Sequence, residues 1–265
     1  MTSVDLYIEF DGSSITISSD VSDVVRLLRA RYSHMLASRP SKAIGNIRIS
    51  DHDSGCRITS NDLFLVDAAK SVFVVDFIAE QVLLQFMKAR KELLWLHAAG
   101  VERSGKALII CGGSGRGKST VSTILCESGW RFMSDDVIAL RMQSEEALPF
   151  LQTPARRTYP GRNLLAEEMG ILTKEEVDVS PESLRRTPAP IAAVIFPTFD
   201  PEATPQLIPV SRGDAALKIL GDTRNIVDHQ ERAVSRVAGL VRQIQSYSLT
   251  FGVGGAGIEL LNDLA

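Results

Sequence analysis

The stretch "LIICGGSGRGKST", Leu108 to Thr120, constrains the fold more than any other part of the chain. An apolar run leads into a glycine-rich turn, and the turn opens a helical segment. Gly112 through Ser119 satisfies G-x-x-x-x-G-K-[ST] at every fixed position. Each position has a physical duty. Gly112, Gly115 and Gly117 accept backbone angles that a β-carbon resists. The successive N–H groups of such a loop turn inward and bind phosphate oxygens. Lys118 adds a cation near the terminal phosphates, and the Ser119 hydroxyl can ligate Mg2+. The helix that follows presents its positive end to the anion. Gly113, Ser114, Arg116 and Thr120 complete the candidate nucleotide-binding set, with Thr120 inside the helix and Arg116 either solvated or touching nucleotide. The bland alternative is a glycine-rich turn that binds nothing, and the strand–loop–helix context argues against it.

The rest of the 265-residue chain is of ordinary globular composition, 45% hydrophobic and 23% charged. A net charge of −3 gives no bulk attraction to nucleic acid or anionic lipid. Neither partner is expected. The opening "MTSVDLYIEFDG" lacks the basic and apolar regions of a secretory signal. Ser71 to Met87 is the best membrane candidate, but Asp76, Glu80 and Gln81 interrupt it, so a buried helix is expected. Cys56, Cys111 and Cys126 form neither a disulfide framework nor a zinc pattern. A cytoplasmic location is the resulting expectation.

Patterning divides the chain near Glu92. "DLYIEF" and "SITISS" read as a hairpin about Asp11-Gly12. A helix follows, with Asp20 or Ser22 as N-cap. Three short strands come next, and then an apolar helix to about Glu92 whose basic end, Lys88, Arg90 and Lys91, complements the helix dipole. This gives a β-rich α+β accessory domain over residues 1–92 and an α/β domain over 93–265. In the second part, "LLWLHAAGVE" and "RFMSDDVIALR" each read as one strand. "IAAVIFPTF" reads as a strand covered on both faces. A polar surface segment is expected from Arg162 to Pro190. "GVGGAG", Gly252 to Gly257, formally matches G-x-G-x-x-G. A dinucleotide site would need a further strand and an acidic residue downstream, so a plain strand-to-helix turn is expected.

Asp135 and Asp136 lie one helix beyond Lys118, where a returning strand can bring a carboxylate beside the phosphates. One can hold or orient a metal while the other accepts a proton from an attacking hydroxyl. The alternative is a surface pair in a turn. His97, in the strand before the loop strand, reads by itself as a buried structural histidine.

Three pieces together, "LHAAGVERSGKALIICGGSGRGKST", the Gly129 turn in "ESGWRF" and "SDDV", resemble the HPr kinase/phosphorylase superfamily. These are P-loop serine kinases structurally allied to phosphoenolpyruvate carboxykinase. A histidine, the loop lysine and an aspartate pair recur there in this order. The resemblance covers about residues 93 to 141. It implies a kinase core of that type, with ATP and Mg2+ as cofactors. A serine-type hydroxyl on a peptide, small protein or small molecule would be the acceptor. It implies that Gly112–Ser119 binds the phosphates and that Lys118 neutralises the transferring group. Asp136 would take the hydroxyl proton, Asp135 and Ser119 would serve the metal, and His97 would orient phosphate or aspartate. Homo-oligomers occur in the family, so self-association is an expectation. Tyr159 and Arg162, in "YPGR", are candidate substrate contacts. One departure is plain. The family's signature strand carries a glutamate for magnesium and an Arg-Gly sequence, whereas "IAAVIFPTFD" has neither, which leaves the second metal ligand open. A nucleotide-binding regulatory module with negligible phosphoryl transfer is the alternative function.

Overall fold

A computed structural model describes residues 3–53, 55–69, 72–158, 173–176 and 179–265. The chain is mixed α/β and forms two compact units, Met1–Lys91 and Glu92–Ala265.

The first unit begins with β1 (Val4–Phe10) and β2 (Ser13–Ser19), paired antiparallel through Asp11 and Gly12. Both turn residues have positive φ, 45° and 75°, the conformation that a two-residue hairpin of this hand requires. Then follow α1 (Ser22–Arg31), β3 (Leu36–Ala37), β4 (Lys42–His52), β5 (Gly55–Ser60), β6 (Leu63–Ala69) and α2 (Val72–Ala89). The six strands form one sheet in the order β3-β1-β2-β4-β5-β6. Alternate residues such as Ile15 and Ile17, and Ile47 and Ile49, are buried on one face. Val74, Ile78, Val82 and Phe86 of α2 are buried at helical spacing.

Two expectations need correction here. The α1 N-cap is Val21, with no side-chain capping bond. Asp20 instead accepts the Asp51 N–H at 2.8 Å, tying the helix entry to β4. Arg90 lies beyond the end of α2 and reaches Asp11 at 2.6 Å, over the Phe10 ring. That charge serves the hairpin turn rather than the helix dipole. Among the described residues, no helix is long and apolar enough to cross a membrane.

The second unit contains β7 (Leu93–Leu96), β8 (Ala98–Arg103), β9 (Lys106–Cys111), α3 (Lys118–Glu127), β10 (Arg131–Ser134), β11 (Ile138–Arg141) and β12 (Glu146–Leu148). It continues with β13 (Ala155–Thr158), β14 (Thr173–Glu176), β15 (Ala189–Phe199), β16 (Gln206–Pro209), α4 (Arg212–Gly221), α5 (Ile226–His229), α6 (Glu231–Gln243) and β17 (Gln245–Phe251). A short 3-10 stretch, Ile258–Leu264, closes the chain. The main sheet runs β10-β8-β9-β15-β12-β11-β7. Residues Ala193–Phe199 of β15 also pair with β17, parallel, and β16 pairs with β17. Apolar residues alternate to both faces of β9. Ile109 and Cys111 join Ala215, Ile219, Val237 and Leu240 of α4 and α6. Leu108 and Ile110 join Val121 and Leu125 of α3 on the other face. Cover on both sides explains the nearly unbroken apolar runs.

Two segments read as single strands are each broken. His97 separates β7 from β8, and Asp135–Val137 separates β10 from β11. The breaks face each other, since Leu96 pairs with Ile138 and Gly100 with Ser134. The aspartates therefore stand in a turn and not within a strand. The His97 N–H leaves the ladder and donates to the Asp222 carbonyl at 2.7 Å. Of the Arg162–Pro190 segment, residues 173–176 and 179–190 are described; Tyr159 and Arg162 lie outside the described residues.

Candidate functional site

The glycine loop connects β9 to α3. Gly112, Gly115 and Gly117 have φ of 149°, 81° and 96°, the region where a β-carbon is penalised. A second constraint acts on Gly117, because a β-carbon there would lie 2.5 Å from the Phe251 ring. Gly113, Ser114, Gly115 and Arg116 are exposed, as are Ser119 and Thr120 on the first turn of α3. The helix ends in a Schellman motif. Gly129, φ 90°, donates to the Cys126 carbonyl, and Trp130 donates to the Leu125 carbonyl.

Lys118 is buried and folded back on its own loop. Its Nζ donates to the Gly112 carbonyl at 2.7 Å and to the Gly113 carbonyl at 3.3 Å. Burial lowers its pKa, against the pull of Asp136, Asp222 and Asp135. His97 Nε2 lies 3.4 Å from the same Nζ and 2.8 Å from Asp136 Oδ1. The other Asp136 oxygen is 3.6 Å from Arg224.

Burial alone would raise the Asp136 pKa, but the hydrogen bond and charge of His97, with Arg224 and Lys118, bring it down to about 2. Its side chain is nevertheless 59% exposed, so this is a rim carboxylate with cations on its inner side. Ionised Asp136 only accepts, so His97 Nε2 must carry the proton between them. The turn that presents Asp135 and Asp136 is locked by Ser134, whose Oγ donates to the Val137 carbonyl and accepts the Val137 N–H. Asp135 is half-buried.

Asp222 and Arg224 escaped the sequence reading. Both follow α4, about 90 residues beyond the aspartates in the chain. Leu96 and Thr223 form an antiparallel bridge, and Arg224 N–H donates to the Trp95 carbonyl at 2.8 Å. Buried Asn225 completes the seam. Its Oδ1 accepts the Trp95 N–H at 2.9 Å, and its Nδ2 donates to the Leu93 carbonyl at 3.0 Å. The seam sets Asp222 beside the loop, within electrostatic reach of His97 and Lys118. Burial pushes its pKa up, and His97 and Lys118 oppose that. Little in "GDTRN" marks it as functional, since its partners are long-range.

The structure thus brings together Gly112–Ser119, Lys118, His97 and Asp136, and adds Asp222 and Arg224. Among the described residues, no three His, Cys, Asp or Glu side chains converge on a metal-sized site. Exposed Ser119 and half-buried Asp135 are the oxygen donors that this part of the chain could offer a cation. A separate cleft of about 500 Å³, lined by Met142, Glu145, Arg232 and Arg236 among others, contains none of these residues. The "GVGGAG" turn packs on α3, because a β-carbon at Gly255 would meet Ile124 at 2.4 Å.

No protein-family model matches the chain, and no curated protein matches it. Among solved structures it is similar to the Hpr(Ser) kinase/phosphatase from Coxiella burnetii, with 15% identity and a TM-score of 0.31. That match covers 64% of this chain and 91% of the other.

Proposed function

We propose that the chain is an ATP- and Mg2+-dependent kinase that transfers the terminal phosphoryl group to a serine-type hydroxyl on a peptide, small protein or small molecule. The observation that carries this reading is the approach of Asp136, through His97, to the lysine of a complete phosphate loop. In this reading the loop amides hold the phosphates. Lys118 leaves the Gly112 and Gly113 carbonyls for the terminal phosphate oxygens. Arg224 and His97 keep Asp136 in place. Asp136 accepts the hydroxyl proton as the new P–O bond forms and the bond to the leaving ADP oxygen breaks. Bound Mg2+ would neutralise phosphate charge, with Ser119 and Asp135 as the donors this chain offers it.

A carboxylate near a pKa of 2 is a weak base. Phosphate oxygens would draw on the same cations and so raise its proton affinity. In a loose transition state it orients the hydroxyl and takes the proton late, as the new P–O bond forms. The absence of glutamate and arginine from "IAAVIFPTFD" favours a second reading, a nucleotide-binding module with negligible transfer. Incubation with γ-labelled ATP, Mg2+ and serine-bearing peptides and small alcohols separates the two. Labelled phosphoserine or phosphoester supports the kinase, whereas nucleotide binding without transfer to any acceptor supports the module.

A further inference from the structure

We propose that Phe199 is the stacking platform for the nucleobase of the nucleotide whose phosphates the Gly112–Ser119 loop takes. The proposal rests on the phosphate-loop reading above and names the part of the ligand that the loop does not hold.

Strands β9, β15 and β17 run parallel, so their C-terminal ends lie at one edge of the sheet. Ligands of open parallel sheets bind beyond that edge. The glycine loop leaves β9 there, and Phe199 and Phe251 end the other two strands. The two phenylalanines are register partners, with ring centroids 5.5 Å apart and planes tilted by 55°. Both ends of the loop touch these strands. A β-carbon on Gly112 would sit 4.0 Å from Pro197, and one on Gly117 would sit 2.5 Å from the Phe251 ring.

Phe251 is 1% exposed and Phe199 is 50% exposed. One ring is thus a fixed base, and the other is held against it with half its surface in water. Val253, 71% exposed, lies two residues beyond Phe251. Exposing an aromatic ring beside an anion cradle brings a phosphate nothing, because the ring offers it no hydrogen-bond donor. A flat heterocycle tethered to those phosphates gains a stacking surface, and every nucleobase has such a face. An aromatic side chain of the acceptor is the competing occupant.

Isothermal titration of the full chain with MgATP and with inorganic tripolyphosphate distinguishes these cases. Phe199→Ala is expected to weaken ATP binding about tenfold and to leave tripolyphosphate within about twofold, while Phe199→Trp keeps both. Unchanged ATP affinity in Phe199→Ala would overturn the platform and leave the ring to the acceptor. Equal weakening of both ligands would also overturn it, since that pattern reports a distorted loop. If the wild-type chain binds neither ligand, the phosphate-loop reading itself fails and the platform fails with it.

Discussion

The Asp136 carboxylate and the His97 imidazole, 39 residues apart in sequence, meet at 2.8 Å between Oδ1 and Nε2. The contact exists because two strands of a sheet break opposite one another. Its consequences are electrostatic, and they can be measured.

Asp136 is held below the ordinary carboxylate range, at about 2. Such a group stabilises the fold above its unfolded value, about 3.9, and loses that contribution as pH falls toward the folded one. More than half of the side chain is exposed, so screening leaves about 1 kcal/mol of the full linkage. Denaturant unfolding of wild type and Asp136→Asn should show the wild-type advantage at neutral pH disappear between about pH 5 and pH 2. A difference that does not vary with pH would contradict the contact.

Gly117 and Gly113 stand four residues apart in one loop but differ in their surroundings. Alanine at Gly117 meets the Phe251 ring and a φ of 96°. It should cost about 1–3 kcal/mol. Alanine at Gly113 meets nothing within 4 Å, and it should stay within about 0.5 kcal/mol of wild type. Thermal unfolding of both variants checks the pair.

Burial pushes the Asp222 pKa up, so the charged form costs stability at neutral pH. Asp222→Asn removes that charge and keeps the shape of the side chain. The variant should be at least as stable as wild type at pH 7, and the difference should close as acid protonates wild-type Asp222. Stability curves against pH read this directly. A variant less stable at neutral pH would show that the Lys118 and His97 interactions outweigh the burial.

Asn225→Ala leaves the buried Trp95 N–H without its acceptor. The Leu93 carbonyl keeps His229, 3.1 Å away, so the loss should be about 1–3 kcal/mol, the cost of one orphaned group. The seam also positions Arg224, so any phosphoryl transfer should fall further than stability does. Chemical denaturation paired with a turnover assay separates the two effects.

Local chemistry made part of this legible in the sequence. Asp11-Gly12 announces a hairpin because few other pairs accept two positive φ values. Gly129 ends α3 because a left-handed residue satisfies the last carbonyls. The glycine loop is legible because its duties are fulfilled by residues adjacent in the chain. The strand break at His97 was hidden, because apolar residues on both sides continue the run, whereas Ser134-Asp135-Asp136 is a polar interruption that also reads as a turn and that the single-strand reading passed over. Asp222, Arg224 and Asn225 were hidden for another reason: their partners lie around residues 93–136, and the Leu96–Thr223 bridge with its flanking long-range hydrogen bonds brings them there. The missing cap at Val21 follows the same logic, as a long-range bond to Asp51 takes the side chain that local rules would spend on the helix.

The kinase reading stands on proton acceptance by the Asp136 carboxylate from a hydroxyl beside the phosphate held by the loop. Asp136→Asn tests it most directly, because the amide keeps the shape and cannot accept the proton. MgATP affinity should stay within about threefold of wild type, and phosphoryl transfer should fall at least about 100-fold. Transfer at the wild-type rate in that variant would contradict it.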